Sequence, residues 1–299
     1  MTFTQALLVS IRGMWPGLLI WGLLPLIPFM VLEQIRPVGP APRMRDYGMN
    51  VLIGLSTAYL SLPLGLAAGL WSGSLRRMLP WKPLSITFNS IAAVPIVGSE
   101  LEMLAMIFVP LLLHDLWFYW VHRIEHKVPF FWMLHRIHHS DECMNTSTYA
   151  RDHFLQDGLL RAFFPVFTLG LFVDLDLTQA GKAAFYSSIF LVILSMFYHS
   201  AIRVRVPWLD RILVTPQVHR IHHSTDPKHY NRNFADALPI FDILFGTYHR
   251  PGRDEFPSTG LGPQFPAPRS IWAAQLSPVR AAAVSLMPTG IRTARRAGI

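Results

Sequence analysis

The chain has 299 residues, 52% of them hydrophobic and only 15% charged, and carries a formal net charge of +8. An average soluble domain carries about 25% charged residues, so this chain either hides a very large core or sits in lipid. Its single cysteine, Cys143, excludes an intrachain disulfide and a cysteine-based metal site. The basic balance suits loops that hold the cytoplasmic side against anionic lipid, and nucleic acid is not expected as a partner.

In chain order, Met14 to Leu32 and Val51 to Leu75 are both free of charge, and about 20 such residues cross the hydrocarbon as a helix. The first run is long, has only Arg12 before it and lacks a small-x-small site, so it reads as a retained span rather than a cleaved signal peptide. A Pro/Arg-rich link, EQIRPVGPAPRMRDYG, joins the two runs. The stretch SITFNSIAAVPIVG is short and polar, fit for a re-entrant or interfacial segment. A third span runs from Leu101 to Val121, interrupted by His114 and Asp115, and leads into HRIEHKVPFFWMLHRIHHS.

Leu159–Leu177 and Ala183–Tyr198 read as a second hairpin, turning at DLDLTQAGK, although Arg161 and Asp174 shorten its first arm. A hairpin returns the chain to the side it left, so His199 and the second HRIHHS face the same water as the first. Arg123, Lys127, Arg136 and Arg151 flank the first box and Arg203, Arg205, Arg211 and Arg220 the second, which places that side in the cytoplasm. From Phe256 onward there are five arginines and no acid, as in a loosely ordered basic tail. The expectation is an all-α, multi-pass integral membrane protein of about four to six transmembrane helices. A cytosolic helical cap would hold a histidine-rich dinuclear metal site. Residues 1–100 would form the N-terminal spans, 101–250 the catalytic domain and 251–299 the tail.

The histidines carry the functional signal. His122-x3-His126, His135-x2-His138-His139, a lone His199 and His219-x2-His222-His223 account for nine of the thirteen histidines. Residues three and four apart share a helix face, so HxxxH offers two imidazoles to one point and HxxHH three. Neutral imidazole is the commonest metal ligand. One zinc ion takes four ligands, or three plus water; nine imidazoles suit two ions with open positions. A transporter would place its ligands in mid-membrane, whereas these gather at span ends. A bis-histidine haem carrier needs one histidine on each side of each haem, not triplets. Asp115, Tyr119, His122 and His126 lie on one helical stripe. A carboxylate within a span is expensive and usually functional, and the expected role of Asp115 is to accept the other ring N–H of a ligand histidine.

Taken together, HDLWFYWVHRIEH…LHRIHHS and TPQVHRIHHS…NFADALPIFDILFGTY resemble the fatty acid hydroxylase/sterol desaturase superfamily of integral-membrane di-iron enzymes, over roughly Leu101 to His249. The family pattern falls on Asp115, Tyr119, His122, Arg123 and His126, on both HxxHH boxes, on His199, and on Asn233-Phe234 before the Phe-Gly-Thr-Tyr signature. The chain departs from the pattern at Arg151-Asp152-His153-Phe154, at Ala201 and at Asn231-x-Asn233, each a candidate for altering the substrate pocket. The resemblance implies two iron ions and O2 as cofactors, the nine histidines as metal ligands, and Asp115, Tyr119 and Asn233 as catalytic-site residues. It implies a lipid substrate that is hydroxylated, or desaturated on the same site. No His-Pro-Gly-Gly haem domain is present in the sequence, so electrons would come from a separate donor protein or reductant. His114, His153, His229 and His249 are left with supporting or structural roles.

Overall fold

The computed structural model describes residues 3–79, 84–86, 98–163, 165, 173–175, 177–263 and 265–285. Helix α1 (Phe3–Gly17) continues through a π-helical segment (Leu18–Leu23) into α2 (Leu26–Ile35), and α3 spans Met44–Arg76. Pro16 and Pro25 bracket the π-helical segment, and each lacks the N–H that a regular α ladder needs. Helix α3 starts where the Asp46 carboxylate accepts the Arg43 N–H at 2.9 Å. The stretches Phe3–Ile35 and Met44–Arg76 are both long and apolar enough to cross a membrane. Their outward residues, among them Val9, Trp15, Ile27, Leu60 and Trp71, are exposed. So large an apolar surface is stable against lipid, not water.

Helix α4 (Gly98–Lys127) carries the first histidine pair at its C-terminal end. Val128 is extended before Pro129, which opens the next helix, α5 (Pro129–His139). An irregular stretch with a 3-10 turn (Thr146–Ala150) leads to a π-helical turn (Gln156–Phe163). Helix α6 (Leu177–His199) ends on its histidine, and α7 (Pro216–His222) starts at Thr215 with proline in its first turn. The short α8 (Ile240–Leu244) and α9 (Ile271–Ser285) complete the described chain. The helical expectation holds apart from one three-residue parallel ladder. Strand β1 (Leu84–Ile86) pairs with β2 (Val173–Leu175), Leu84 opposite Val173. Because α6 runs about 34 Å from its start to His199, this ladder marks the end of the bundle away from the histidines.

Buried polar groups tie the two long apolar helices to the histidine-bearing segments, called the cap below (residues 122–285). Glu33 is fully buried; its Oε1 accepts the N–H groups of Thr146 and Ala201 at 2.6 and 2.7 Å, and its Oε2 accepts the Tyr47 hydroxyl at 2.5 Å. One carboxylate thus joins α2, α3, the 146–150 turn and the exit from α6. Leu111, Leu194, Val214, Val218 and Ala235 pack α4, α6 and α7 into one apolar core.

Two expectations change. Most of the expected turn DLDLTQAGK is helical, since α6 begins at Leu177; Gln179, Ala180 and Lys182 are good helix formers. The hairpin's first arm beyond Ala162–Phe163 falls largely outside the described residues, as does most of SITFNSIAAVPIVG. The C-terminal segment, expected to be loosely ordered, contains α9, which packs on α5 and α3. Its buried Ala274 meets Ile53 and Ile137, and this small apolar face is why the segment is held. Residues 286–299 lie outside the described residues.

The side chain of Gln275 accepts the Phe154 N–H at 3.0 Å and donates to Ser56 Oγ and Thr57 Oγ1 at 3.0 and 2.9 Å. Gln275→Leu leaves the Phe154 N–H without its acceptor, while Ser56 and Thr57 keep their bonds to the Ile53 and Asp152 carbonyls, and is expected to cost about 1–3 kcal/mol, read as a lowered melting temperature in detergent. The exposed Trp272→Ala should melt like the parent; a Gln275→Leu variant that does the same would remove α9 from the stability of the cap.

Candidate metal centre

Helix α4 supplies His122 and His126, α5 supplies His135, His138 and His139, α6 supplies His199, and α7 with its C-cap supplies His219, His222 and His223. All nine expected ligands come together. They sort into two groups, His122, His126, His135, His139 and His222 in one and His138, His199, His219 and His223 in the other, with the donor atoms of each group within 4.8 Å of one another. The two HxxHH boxes do not each serve one point, as expected from spacing. Each gives its i,i+4 pair to one group and its middle histidine to the other. The cause is helical pitch: at about 100° per residue, positions i and i+4 differ by about 40° but i+3 and i+4 by about 100°.

Within the first group the Nε2 atoms of His122 and His139 each lie 3.0 Å from His135 Nε2. In the second, His199 Nε2 is 3.2 Å from His138 Nε2 and 3.0 Å from His219 Nε2, and His223 Nε2 is 3.0 Å from His219 Nε2. Two nitrogens bound to one ion at about 2.1 Å and at right angles lie about 3 Å apart, so the donor sets fit metal ions. The buried Nε2 atoms of His126 and His222 have no protein partner, which leaves their lone pairs free for a cation. The groups share a wall, where the rings of His139 and His223 stack at 4.4 Å.

The opposite ring nitrogens are held by the scaffold. The Nδ1–H groups of His122, His199 and His222 donate to the carbonyls of Phe234, Ser195 and Arg232 at 2.7, 2.9 and 2.9 Å. His135 Nδ1 lies 2.8 Å from the Gln156 amide and 3.5 Å from Glu125 Oε2, and His138 Nδ1 lies 3.7 Å from Asp152 Oδ1. The carbonyl partners of His122, His199 and His222 fix the tautomer that turns the Nε2 lone pair inward. Burial, reinforced by neighbouring imidazoles, holds His135, His138, His139, His219 and His223 well below the ordinary histidine pKa. Burial lowers His222 to about 4, against the opposing pull of its Arg232 hydrogen bond. At neutral pH these imidazoles are uncharged and their lone pairs available.

The three candidate catalytic residues build the walls. Asp115 does not meet a ligand histidine, contrary to expectation: Oδ1 accepts the N–H groups of Asp236 and Ala237 at 2.9 and 3.0 Å, and Oδ2 that of Leu238 at 2.5 Å. Asp242 takes the preceding N–H groups of Phe234 and Ala235 at 2.8 Å each. Two carboxylates thereby pin the loop whose Phe234 carbonyl orients His122. The buried Tyr119 packs on Phe234 and Phe241, and its hydroxyl meets Thr247 Oγ1 and accepts from Arg123. Asn233 adopts a left-handed φ of 56° and bridges Val218, in α7, to His249 through its side chain.

The departures from the family pattern also have structural partners. Arg151 donates to the Ile137 carbonyl, Ser140 Oγ and Asn50 Oδ1, closing the end of α5, while His153 Nε2 donates to the Gln275 carbonyl. Ala201 supplies the N–H that Glu33 accepts. His114 pairs with Asp236 at 3.0 Å. His229 and His249 both reach Glu255, whose oxygens also take Lys228 Nζ and the Gly252 N–H, so this trio is a closed clasp. The sequence reading missed Glu125, Asp152, Gln156 and Arg161. Their signal was a buried acid between His122 and His126 and a lone arginine in an apolar stretch.

Residues 107–247 match the fatty acid hydroxylase family model. The chain is 30% identical to alkylglycerol monooxygenase of Caenorhabditis elegans over 151 residues, 50% of this chain and 28% of the relative. It is 29% identical to ornithine lipid hydroxylase OlsE of Rhizobium tropici, over 55% of this chain and 47% of that protein. To human cholesterol 25-hydroxylase it is 30% identical, over 53% of this chain and 57% of that protein. The chain therefore spans only part of each curated relative. No solved structure matches.

The lowered histidine pKa values set a pH dependence. In the unfolded chain these histidines take up protons near pH 6.5, while the folded cap resists doing so. The metal-free fold is therefore fully stable above about pH 6.5 and loses stability as pH falls toward the folded values. Its melting temperature should fall between pH 7 and pH 5, and bound metal should raise the whole curve at pH 7. A flat profile over that range in metal-free protein would refute buried, neutral imidazoles.

Proposed function

Because the chain belongs to the fatty acid hydroxylase superfamily, we propose that it is a membrane-bound lipid hydroxylase whose nine histidines hold two iron ions. The net reaction is R–H + O2 + 2 e⁻ + 2 H⁺ → R–OH + H2O, with the electrons supplied by a separate donor. The observation that carries this reading is the sorting of nine imidazoles, eight of them buried, into adjacent groups of five and four. Two ions with open positions, once bound, supply activation of O2. His122, His126, His135, His139 and His222 hold one and His138, His199, His219 and His223 the other. The carbonyls on Nδ1 of His122, His199 and His222 keep those Nε2 atoms directed inward, and burial of most of the cluster excludes bulk water. A cavity of ≈ 230 Å³ lies between α2 with its preceding π-helical segment, α3 and the 149–157 segment. It is lined by Leu18, Leu23, Leu26, Val51 and Leu55 and reaches Asp152, beside His138. An apolar chain of the lipid substrate is proposed to lie there.

The decisive assay incubates membranes with 18O2 and a reductant, followed by lipid mass spectrometry. One 18O is expected in a hydroxylated lipid from the parent chain, while His222→Ala and His138→Ala lose both bound iron and product. Unlabelled product lacking two hydrogens would replace hydroxylation by desaturation. Iron-loaded chain with a competent donor and no oxygen-dependent product across broad lipid pools would leave a non-catalytic metal protein.

The exposed apolar faces of α1 to α4, and the basic residues around the histidine boxes, support a multi-pass arrangement with the metal centre on the cytoplasmic side. Burial, with Asp141 adding to it, pushes the Cys143 thiol up to about 11, so it reacts poorly. Cysteines introduced at Thr178 and at the exposed Thr225 are better probes. In intact cells an impermeant thiol reagent should label the Thr178→Cys chain and spare Thr225→Cys until the membrane is permeabilised. The reverse pattern would invert the orientation.

A further inference from the structure

Arg161 stands behind the metal centre, in the π-helical turn Gln156–Phe163. Its Nη1 donates to Asp152 Oδ2 at 2.7 Å and its Nη2 lies 3.7 Å from Glu125 Oε2. The guanidinium also sits over the Phe118 ring at 5.2 Å. The two carboxylates are buried, Glu125 completely. Each turns its remaining capacity toward a different group of histidines. Glu125 Oε2 is 3.5 Å from His135 Nδ1, in the five-histidine group; Asp152 Oδ1 is 3.7 Å from His138 Nδ1, in the four-histidine group. Neither Glu125 oxygen has a close hydrogen bond, and Asp152 Oδ1 and His138 Nδ1 are likewise buried without one. Uncompensated acceptors of this kind are rare in the interior of a fold, and here they lie beside Nδ1 atoms of rings whose other nitrogen points to an ion site; His135 Nδ1 also meets the Gln156 amide nitrogen at 2.8 Å.

We infer that Glu125, Arg161 and Asp152 form one positioning bridge that spans both metal sites, with Glu125 orienting His135, Asp152 orienting His138, and Arg161 fixing the two carboxylates relative to each other. This rests on the dinuclear reading above and adds to it a physical link between the sites. The arrangement has a direct logic. An ion drawn to Nε2 makes the imidazole a stronger donor at Nδ1, and a carboxylate there strengthens the ligand in return. The guanidinium's planar fork holds two oxygens from separate residues at a fixed spacing, which a lysine cannot do. A change at one carboxylate is thereby felt at the other through a single rigid group.

The test is anaerobic titration of purified full-length chain with 57Fe(II) alone, followed by Mössbauer spectroscopy and measurement of bound iron per chain. The parent is expected to load two ions in distinguishable environments. Glu125→Gln should perturb the signal of one ion and weaken its binding about 10–100-fold, while Asp152→Asn should perturb the other. Arg161→Gln should disturb both. Because Arg161→Gln strands two buried carboxylates and can unfold the cap, the triple variant Glu125→Gln, Arg161→Gln, Asp152→Asn removes every charge at nearly constant shape. It should remain monodisperse with a parental near-UV spectrum yet bind both ions more weakly. Arg161→Lys should restore at most one of the two signals. Parental spectra and affinities in the folded single and triple variants would overturn the bridge while leaving the dinuclear reading intact. Absence of iron binding by the parent chain would overturn both.

Discussion

A buried imidazole can serve a metal only if it is neutral, and an acceptor on its second nitrogen fixes which lone pair faces inward. That constraint acts on nine imidazoles gathered in one small volume. Where the second nitrogen is held, its partner is a backbone carbonyl, an amide or a nearby carboxylate rather than an aliphatic side chain. Phe234, Ser195 and Arg232 lend backbone oxygens to three histidines. Those oxygens lie on loops and helix ends that must themselves be immobile. Asp115 and Asp242 achieve this for the 234–238 loop by taking its consecutive N–H groups.

Polar side chains, beside the apolar cluster of Ile53, Ile137 and Ala274, join the cap to the membrane helices. Glu33 collects partners from three distant segments, and Arg151 closes the end of α5 while reaching Asn50 in α3. Apolar residues of the membrane helices are mostly turned outward, where lipid solvates them without directing any one packing arrangement. Directional hydrogen bonds among buried groups supply the missing specificity, and a fully satisfied network of this kind rigidifies what it connects.

Much of this was legible from the chain alone, because metal ligation leaves residue types and spacings that helical pitch makes interpretable. The nine histidines that gather, the two long apolar helices, the proline-marked starts of α5 and α7 and the family resemblance all follow from local pattern. What local pattern does not carry is which partner each face meets. The division of HxxHH between two groups depends on where neighbouring helices stand. Asp115 had the right stripe but met a loop more than a hundred residues away. Arg161 read as a charge that shortens a span, and only the juxtaposition of Glu125 and Asp152 reveals its partners. Helix α9 escaped notice because Ala274 and Gln275 signal nothing until Ile53, Ile137 and Thr57 are beside them.

The exchange of histidines between the two boxes has a consequence for biosynthesis. Four members of the five-histidine group come from His122 to His139, but the fifth is His222; the other group likewise needs His138 together with His199, His219 and His223. The five-histidine group is complete on a nascent chain only once residue 222 is made, and the four-histidine group only once residue 223 is. At about 5–20 residues per second, the interval from His122 to His223 lasts on the order of ten seconds. Throughout that time the early imidazoles lack the partners that complete their groups. On the dinuclear reading proposed above, metallation is therefore a late event, set by the ions available when the second box arrives.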